Sequence, residues 1–193
     1  MRINLGCGLR KRDGYHNVDK FSGCAPDEVV DLECFPWPWP SDSVEEAVMS
    51  HVLEHLGATS EAYFDIFREL YRVCRHDARV RITVPHPRHD TFLADPTHVR
   101  PVTVDGLAMF SRRQCEKWRR EGRPNTPIAD MIGVDFEIES NSIVLEPVWR
   151  SRLEMKKITE AELLLAIRER SNVVVETTTV LRTVKQRDSQ ADS

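Results

Sequence analysis

Short apolar segments alternate with turn-forming residues through the first part of the chain. Four of them have the length and the β-branched content of strands: RINL, YHNVD, DEVVD and VEEAVMS. Residues 60–75 then place apolar side chains on one broad face at helical spacing, with Thr59 or Ser60 as the N-cap. The alternating segment ARVRITVP predicts a fifth strand that stops at Pro85. This order of elements is typical of an open, doubly wound α/β sheet.

The second half of the chain predicts regular elements between longer loops. The predicted helices are in the later part of 104–122 and over 159–171, where Thr159 is the cap. The predicted strands are one long strand or two strands over 134–149 and a final strand over 172–184. The loops are a polar segment rich in histidine and proline over 86–103 and a segment over 123–133. We expect a single domain over residues 1–186 and a short disordered tail over 187–193.

The segment CFPWPWPSDS lies between the third and fourth predicted strands. It cannot form a helix or a central strand, because its three prolines remove backbone donors and restrict the backbone. We expect a semi-rigid loop that carries Phe35, Trp37 and Trp39.

The composition restricts the class of protein. Of the 193 residues, 40% are hydrophobic and 30% are charged, as in an ordinary globular domain. The net charge of -4 gives no general reason to expect binding to nucleic acid or acidic lipid. No segment has the pattern of a secretory signal or a membrane span, and the 5 cysteines lack C-x-x-C spacing. We therefore expect a cytoplasmic protein with reduced thiols.

Three successive predicted strands end at residues suited to a nucleotide-like ligand. A GCG turn follows the first strand, and glycines there let the backbone approach a ligand without interference from Cβ atoms. Asp19 ends the second strand, where a carboxylate can accept both hydroxyls of a ribose. Asp31 and Leu32 follow the third strand, where they could flank an adenine. Each of these residues alone is weak evidence for a nucleotide-like ligand, and the succession of three strand ends is stronger evidence.

The segment VMSHVLEHLG contains His51, Glu54 and His55 in H-x-x-E-H spacing. In one class of zinc peptidase, this spacing places two histidines and a glutamate beside a metal on one helix. Here His51 directly follows a predicted strand, so we expect it at the mouth of a ligand pocket. Glu54 and His55 are expected to brace the next segment, and a zinc peptidase is the alternative.

Five motifs occur together in a recognisable order: INLGCG, NVD, VVDLE, FPWPWPSDSVEEAV and SHVLEHL. In order and spacing they resemble the small class I S-adenosylmethionine-dependent methyltransferases of the type 11 kind, over about residues 3–85. The resemblance implies a Rossmann-like open seven-stranded sheet, mostly parallel, with an antiparallel strand near the C-terminus. It also implies an enzyme that uses S-adenosyl-L-methionine as its methyl donor.

The resemblance places the cofactor across the carboxyl ends of the first four strands. The implied contacts are Leu5, Gly6, Cys7 and Gly8 beside the methionine part, Asp19 and Lys20 at the ribose, Asp31 and Leu32 at the adenine, and Ser50 and His51 near the methyl group.

The chain departs from the family pattern in the first half. Arg75, His76 and Asp77 stand where the family usually has two glycines before the fifth strand. The helices between the first three strands are nearly absent, so the N-terminal half is reduced in helices. We infer that one edge of the sheet is thinly covered, and a homodimer is the hypothesis that this suggests.

The histidine-rich loop is the expected acceptor site. In-line methyl transfer mainly needs alignment, whereas an oxygen nucleophile also needs a base, for which histidine is suited near neutral pH. We predict His51, Asp95 and His98 as catalytic residues, with Asp95 orienting a histidine, and solvated loop side chains are the alternative. A metal site in this loop matches no ligand signature, and no metal is predicted. The expected substrate contacts are His86, His89 and Arg100.

The expected reaction is methyl transfer to a small-molecule or glycan acceptor, at oxygen. Two alternatives stay open: a cofactor-binding module that is silent or acts through a partner, and a methyltransferase that acts on nucleic acid or protein. The basic segment SRRQCEKWRREGR could dock nucleic acid, but Glu116 and Glu121 dilute its charge, which favours a solvated helix face. No membrane partner is expected.

Overall fold

The computed structural model describes residues 1–185, which form one seven-stranded sheet. The strands are β1 (Arg2–Leu5), β2 (His16–Asp19), β3 (Glu28–Val29), β4 (Val44–Ser50), β5 (Cys74–Pro85), β6 (Phe136–Leu145) and β7 (Val174–Thr183). Their order across the sheet is β3-β2-β1-β4-β5-β7-β6. The first five strands pair in parallel, and β7 is antiparallel to both β5 and β6. The predicted fold class is therefore confirmed.

The helices lie mainly after β4. They are α1 (Ser60–Val73), α2 (Asp90–Leu93), α3 (Val104–Ala108), α4 (Arg112–Arg120), α5 (Ile128–Ile132), α6 (Pro147–Glu154) and α7 (Glu160–Glu169). Between β1 and β3, the described chain has only one short 3-10 turn, at Ser22–Cys24, as the sequence predicted. No helix within residues 1–185 is both long enough and apolar enough to cross a membrane.

The core lies between α1 and the sheet. Residues spaced at one helical turn, such as Ile66, Phe67 and Leu70, are fully buried there. The ring of Phe67 stacks on that of Phe110, with centroids 3.7 Å apart, and meets Phe136 edge to face. These ring contacts join α1 to the segment between α3 and α4 and to β6.

The junction between α1 and β5 differs from its prediction. The helix ends at Val73 and β5 begins directly at Cys74, whereas the sequence predicted a helix to residue 75 and a strand from 78. Asp77 has a φ of 60°, and the register of β5 against β4 shifts between Val44 and Glu46. A bulge thus lies where the family that the sequence resembles usually has two glycines.

Three helices form where the sequence predicted loop or strand, and the first of them, α2, lies within the predicted loop over 86–103. The loop over 123–133 contains α5, which ends at Gly133 in the left-handed conformation. The predicted strand over 134–149 ends early, because Pro147 begins α6 at a position where its missing N–H costs nothing. Local pattern alone could not distinguish these short helices. The predicted tail over 187–193 lies outside the described residues.

Candidate functional site

A cavity of about 390 Å³ lies at the carboxyl ends of β1, β2 and β4. This volume is within the range of small-molecule sites, and the position is where open α/β sheets bind ligands. We call it the first cavity. Its lining residues are Gly6, Asp19, Lys20, Val30, Asp31, Leu32, His51, Val52, His55, Leu56 and Thr97.

Gly6 allows the chain to turn closely above β1. Its φ is +66°, and a Cβ added there would lie 2.4 Å from Cγ2 of Val52. A side chain at this position would therefore be strained and would also clash. The glycine keeps Val52 against the floor of the first cavity.

Asp19 is held in place by backbone donors at the end of β2. Its Oδ2 accepts a hydrogen bond from the Gly8 amide at 2.8 Å, and its Oδ1 accepts one from the Phe21 amide at 2.9 Å. Each carboxylate oxygen can accept further hydrogen bonds from a ligand. The strand end and the glycine turn thus present a preoriented carboxylate to the first cavity.

The apolar wall opposite Asp19 is formed around Leu32. The backbone oxygen of Leu32 accepts a hydrogen bond from the indole Nε1 of Trp37 at 3.1 Å. Asp31 Oδ1 accepts from the Glu33 amide at 3.0 Å, which orients that carboxylate. The predicted semi-rigid loop therefore supports this wall through buried Trp37.

His51 stands immediately after β4 with a φ of 57°, a conformation that non-glycine residues seldom adopt. Its amide donates to the Thr83 oxygen at 2.8 Å. The ring lies between two carboxylates, with Nδ1 3.5 Å from Glu54 and Nε2 3.2 Å from Glu176. The Glu54 carboxylate raises the pKa of His51 against the effect of burial, and Glu176 adds to the rise.

A second cavity of about 310 Å³ adjoins the first. His51 and His55 line both cavities. Most residues that line the second cavity carry polar or charged groups; the lining residues are His51, Glu54, His55, Pro85, Thr91, Asp95, His98, Val175 and Glu176.

Asp95 and His98 are fixed by local hydrogen bonds in the loop before α3. Asp95 Oδ1 accepts from the Thr97 amide at 2.8 Å and from the Thr97 hydroxyl at 2.6 Å. These bonds lower the pKa of Asp95. His98 Nδ1 lies 2.7 Å from the Phe92 oxygen, and the His98 ring stacks on that of Phe92. The turn that the sequence indicated at 95–97 is thus also part of a cavity wall.

The predicted residues separate into those that line a cavity and those that do not. Of the expected cofactor contacts, six line the first cavity: Gly6, Asp19, Lys20, Asp31, Leu32 and His51. The other four are not among its lining residues: Leu5, Cys7, Gly8 and Ser50. The three residues predicted as catalytic, His51, Asp95 and His98, meet in the second cavity.

The three predicted substrate contacts line neither cavity and have structural partners instead. Arg100 lies over the ring of Tyr63 at 4.3 Å and donates to the Gly57 oxygen at 2.8 Å. His89 is buried beside Glu146 at 3.4 Å. Burial lowers the pKa of His86, which accepts a hydrogen bond from the Arg88 amide. Their contact with a substrate stays a prediction.

Several lining residues were not predicted. Val52, Leu56 and Thr97 complete the first cavity with side chains whose sequence context marks no function. Glu176 reaches the second cavity from β7, far along the chain. His55 and Glu54 carried a visible signal, the H-x-x-E-H spacing, although residues 53–55 form a 3-10 turn rather than the α-helix of a zinc peptidase. The Glu54 backbone oxygen accepts from the Val99 and Arg100 amides, which lie in the loop before α3 and not in the segment that directly follows Glu54.

Known structures share this fold at low sequence identity. A SAM-dependent methyltransferase from Archaeoglobus fulgidus is 18% identical with a TM-score of 0.61, over 94% of this chain and 85% of that one. The 1,6-didemethyltoxoflavin-N1-methyltransferase of Burkholderia thailandensis, solved with S-adenosylhomocysteine, is 12% identical with a TM-score of 0.51, over 95% and 70%. The cyclase SpnF is 16% identical with a TM-score of 0.53, over 95% and 75%.

The sequence itself matches no protein-family model and no curated protein. The likeness is therefore one of tertiary structure, and it agrees with the strand order and with the place of the first cavity at the carboxyl edge of the sheet. The chain has the fold of the class I S-adenosylmethionine-dependent methyltransferases.

Proposed function

We propose that this protein binds S-adenosyl-L-methionine in the first cavity and transfers its methyl group to an acceptor in the second. The observation that carries the proposal is the shared wall: His51 and His55 line both cavities at the carboxyl edge of a methyltransferase-type sheet. Two substrates bound on either side of this wall would meet at His51.

The residues of the first cavity fit the parts of the cofactor. Asp19 presents two oxygens to the ribose hydroxyls, and Leu32 with Val30 offers an apolar surface to the adenine. The close turn at Gly6 leaves room for the methionine part. When bound, the sulfonium of the cofactor supplies an activated methyl group and keeps the electron pair of the broken carbon–sulfur bond.

The chain's own contribution is to orient the acceptor. The second cavity carries imidazole, carboxylate and hydroxyl side chains, which suit an acceptor rich in hydroxyl groups. An acceptor oxygen forms the new bond to the methyl carbon and gives its proton to the His51 imidazole, and Asp95 and His98 form part of the wall of the acceptor's cavity. Small molecules and glycans fit this chemistry, and a cytoplasmic location stays a prediction.

The first experiment measures thermal stabilisation by S-adenosylhomocysteine. We expect the unfolding temperature to rise at millimolar ligand, because a ligand that binds only the folded state stabilises it. Asp19→Asn should lose most of the rise, whereas Asp13→Asn, an exposed aspartate that lines neither cavity, should keep it. A folded protein without any shift would contradict the proposed cofactor.

A second function is a cofactor-binding module without methyl transfer. The cyclase SpnF, which has the same fold, supports this alternative, because a fold alone does not define a reaction. Transfer of labelled methyl groups into fractions of cell extract distinguishes the two. A nucleic-acid acceptor is less well supported, because Arg113, Arg119 and Arg120 of α4 form ion pairs with neighbouring carboxylates.

A further inference from the structure

Glu54 is a buried acid that the proposed methyl transfer does not use. Its relative exposure is 1%, and neither carboxylate oxygen has a hydrogen-bond partner among residues 1–185. His51 Nδ1, at 3.5 Å from Oε1, is at an ion-pair distance that is too long for a good hydrogen bond. Buried carboxylates of this kind are normally paired or bound to a metal.

Two histidines stand beside this carboxylate. Glu54, His55 and His98 each offer a ligand atom within 4.8 Å of the others. The two imidazole rings meet edge to face with centroids 4.6 Å apart. His98 comes from the loop after β5, so tertiary packing brings this third group to the pair in the H-x-x-E-H segment.

The hydrogen bonds of the two rings define which nitrogen is available. His98 Nδ1 faces the Phe92 backbone oxygen at 2.7 Å, and a carbonyl can only accept, so Nδ1 carries the proton. The Thr97 hydroxyl donates to Asp95 and therefore accepts from His55 Nδ1, at 2.9 Å. In both neutral rings, Nε2 is left with its lone pair.

Metal-binding histidines show this arrangement, in which the outer ring nitrogen donates to a fixed acceptor and the inner one binds the ion. Asp95 Oδ2 approaches His98 Nε2 only to 3.8 Å, beyond hydrogen-bond distance. We propose that Glu54, His55 and His98 bind a divalent transition-metal ion. Two imidazoles and one carboxylate suit Zn²⁺, Fe²⁺, Mn²⁺ or Ni²⁺.

A second group of potential ligands, Cys7, Asp19 and Cys24, does not carry the same inference. Burial raises the pKa of the Cys7 thiol to about 11, which adds to the cost of forming the thiolate that a metal binds. Both thiols also donate to backbone oxygens, of Gly8 and Phe21.

The proposed metal would lie at the second cavity, which all three ligands line. Three protein ligands leave coordination positions for water or for an oxygen of a bound molecule. This part of the inference rests on the proposed function: the bound molecule would be the methyl acceptor, and the metal would polarise its hydroxyl. Metal binding itself requires neither cofactor nor acceptor.

The test is a titration of the full-length, chelator-treated protein with Zn²⁺, Mn²⁺, Ni²⁺ and, without oxygen, Fe²⁺, read by competition with a chromophoric chelator. We expect one equivalent of at least one ion to bind. Glu54→Gln and His98→Asn should each weaken binding by more than about 100-fold, since loss of an outer partner already costs about 10- to 100-fold. His76→Ala is the matched control, because His76 lines neither cavity.

Unfolding in the presence of chelator separates loss of a ligand from loss of the fold. Metal-free Glu54→Gln should still show a cooperative thermal transition, and added metal should raise the unfolding temperature of the parent by more than that of the variant. Failure of all four ions to bind the parent, or unchanged binding by both variants, overturns the proposal. Stabilisation of the metal-free parent by S-adenosylhomocysteine tests the cofactor separately.

Discussion

At the scale of single residues, the backbone of His51 lets one side chain line two cavities. Its left-handed φ of 57° costs a non-glycine residue about 1 kcal/mol or more. The hydrogen bond from its amide to Thr83 holds this conformation at the end of β4. Strain that the surrounding structure maintains in this way is common where a side chain must be aimed at a ligand.

His51→Asn removes the imidazole and keeps a residue type that tolerates a left-handed backbone. We expect turnover in the labelled-methyl assay to fall by about 100-fold, a typical effect of losing a positioned polar group. The affinity for S-adenosylhomocysteine, measured by calorimetry, should stay within about threefold of the parent's. That is less than the tenfold change in affinity that corresponds to about 1.4 kcal/mol. Full activity of the variant would remove His51 from the proposed site.

Gly6→Ala tests the close turn above β1. The new Cβ would lie 2.4 Å from Val52, so overpacking should add about 1–3 kcal/mol to the cost of the left-handed backbone. Gly122→Ala is the control, since its φ of +68° is similar and nothing lies within 4 Å. Chemical denaturation should therefore show the larger loss of stability for Gly6→Ala, and equal losses would show that Val52 yields without cost.

At the scale of elements, α1 and the proline-rich loop stabilise each other through Glu69. Its carboxylate accepts from the Trp37 amide at 2.6 Å and from both Nε and Nη2 of Arg72 at 2.7 Å. Arg72 in turn donates to the backbone oxygens of Trp37 and Trp39. The wall of the first cavity thus depends on one helix side chain, because Trp37 also holds Leu32.

Glu69 should make stability depend on acid pH. The Arg72 guanidinium, assisted by the Trp37 amide, lowers the pKa of Glu69 despite burial. Because the pKa of Glu69 is lower in the folded state, its carboxylate stabilises the protein at pH values above the ordinary glutamate pKa, about 4.3. This stabilisation is lost as the pH falls through the pKa of the folded state.

The measurement is the difference in unfolding free energy between the parent and Glu69→Gln from pH 7 to pH 3. At pH 7 the variant should be less stable by about 1–3 kcal/mol, and the gap should close on acidification, as the parent's carboxylate takes up its proton. Glu45→Gln, which breaks an exposed pair with Arg75, should change stability by less than about 1 kcal/mol. A gap independent of pH would contradict the assignment.

At the scale of the whole molecule, the strand order determines which distant segments meet. Placing β4 between β1 and β5 brings the first cavity next to the second, and the antiparallel pairing of β7 with β5 sets Glu176 opposite Pro85. The same order leaves β3 at an edge of the sheet, without a helix between it and β2.

The homodimer hypothesis belongs to this exposed edge. Val29 of β3 and Phe21 of the connection between β2 and β3 are exposed apolar residues, with relative exposures of 56% and 68%. Exposed apolar side chains at this edge favour contact with a second copy. Sedimentation velocity at micromolar concentration should show a dimer that Val29→Lys disrupts, with Val148→Lys, on α6, as the exposed control. A parent protein that sediments only as a monomer contradicts the hypothesis.

The features that the sequence determined by itself are local ones. The alternation that gives β5, the Thr59 cap of α1 and the glycine turn at Gly6 all depend on neighbours a few residues apart. The carboxylate of Asp19 at a strand end was predictable for the same reason. Parallel strands end at one edge of a sheet, so strand-end residues meet there whatever the loops do.

Only the tertiary structure decided the chemistry of the second cavity. The H-x-x-E-H segment could have held a metal as a helix, yet it forms a 3-10 turn after a strand. The burial of Glu54, the approach of His98 and the contact of Glu176 with His51 each join segments far apart in the chain. No short-range pattern encodes them, because these contacts arise from the packing of a loop and a C-terminal strand against β4 and β5.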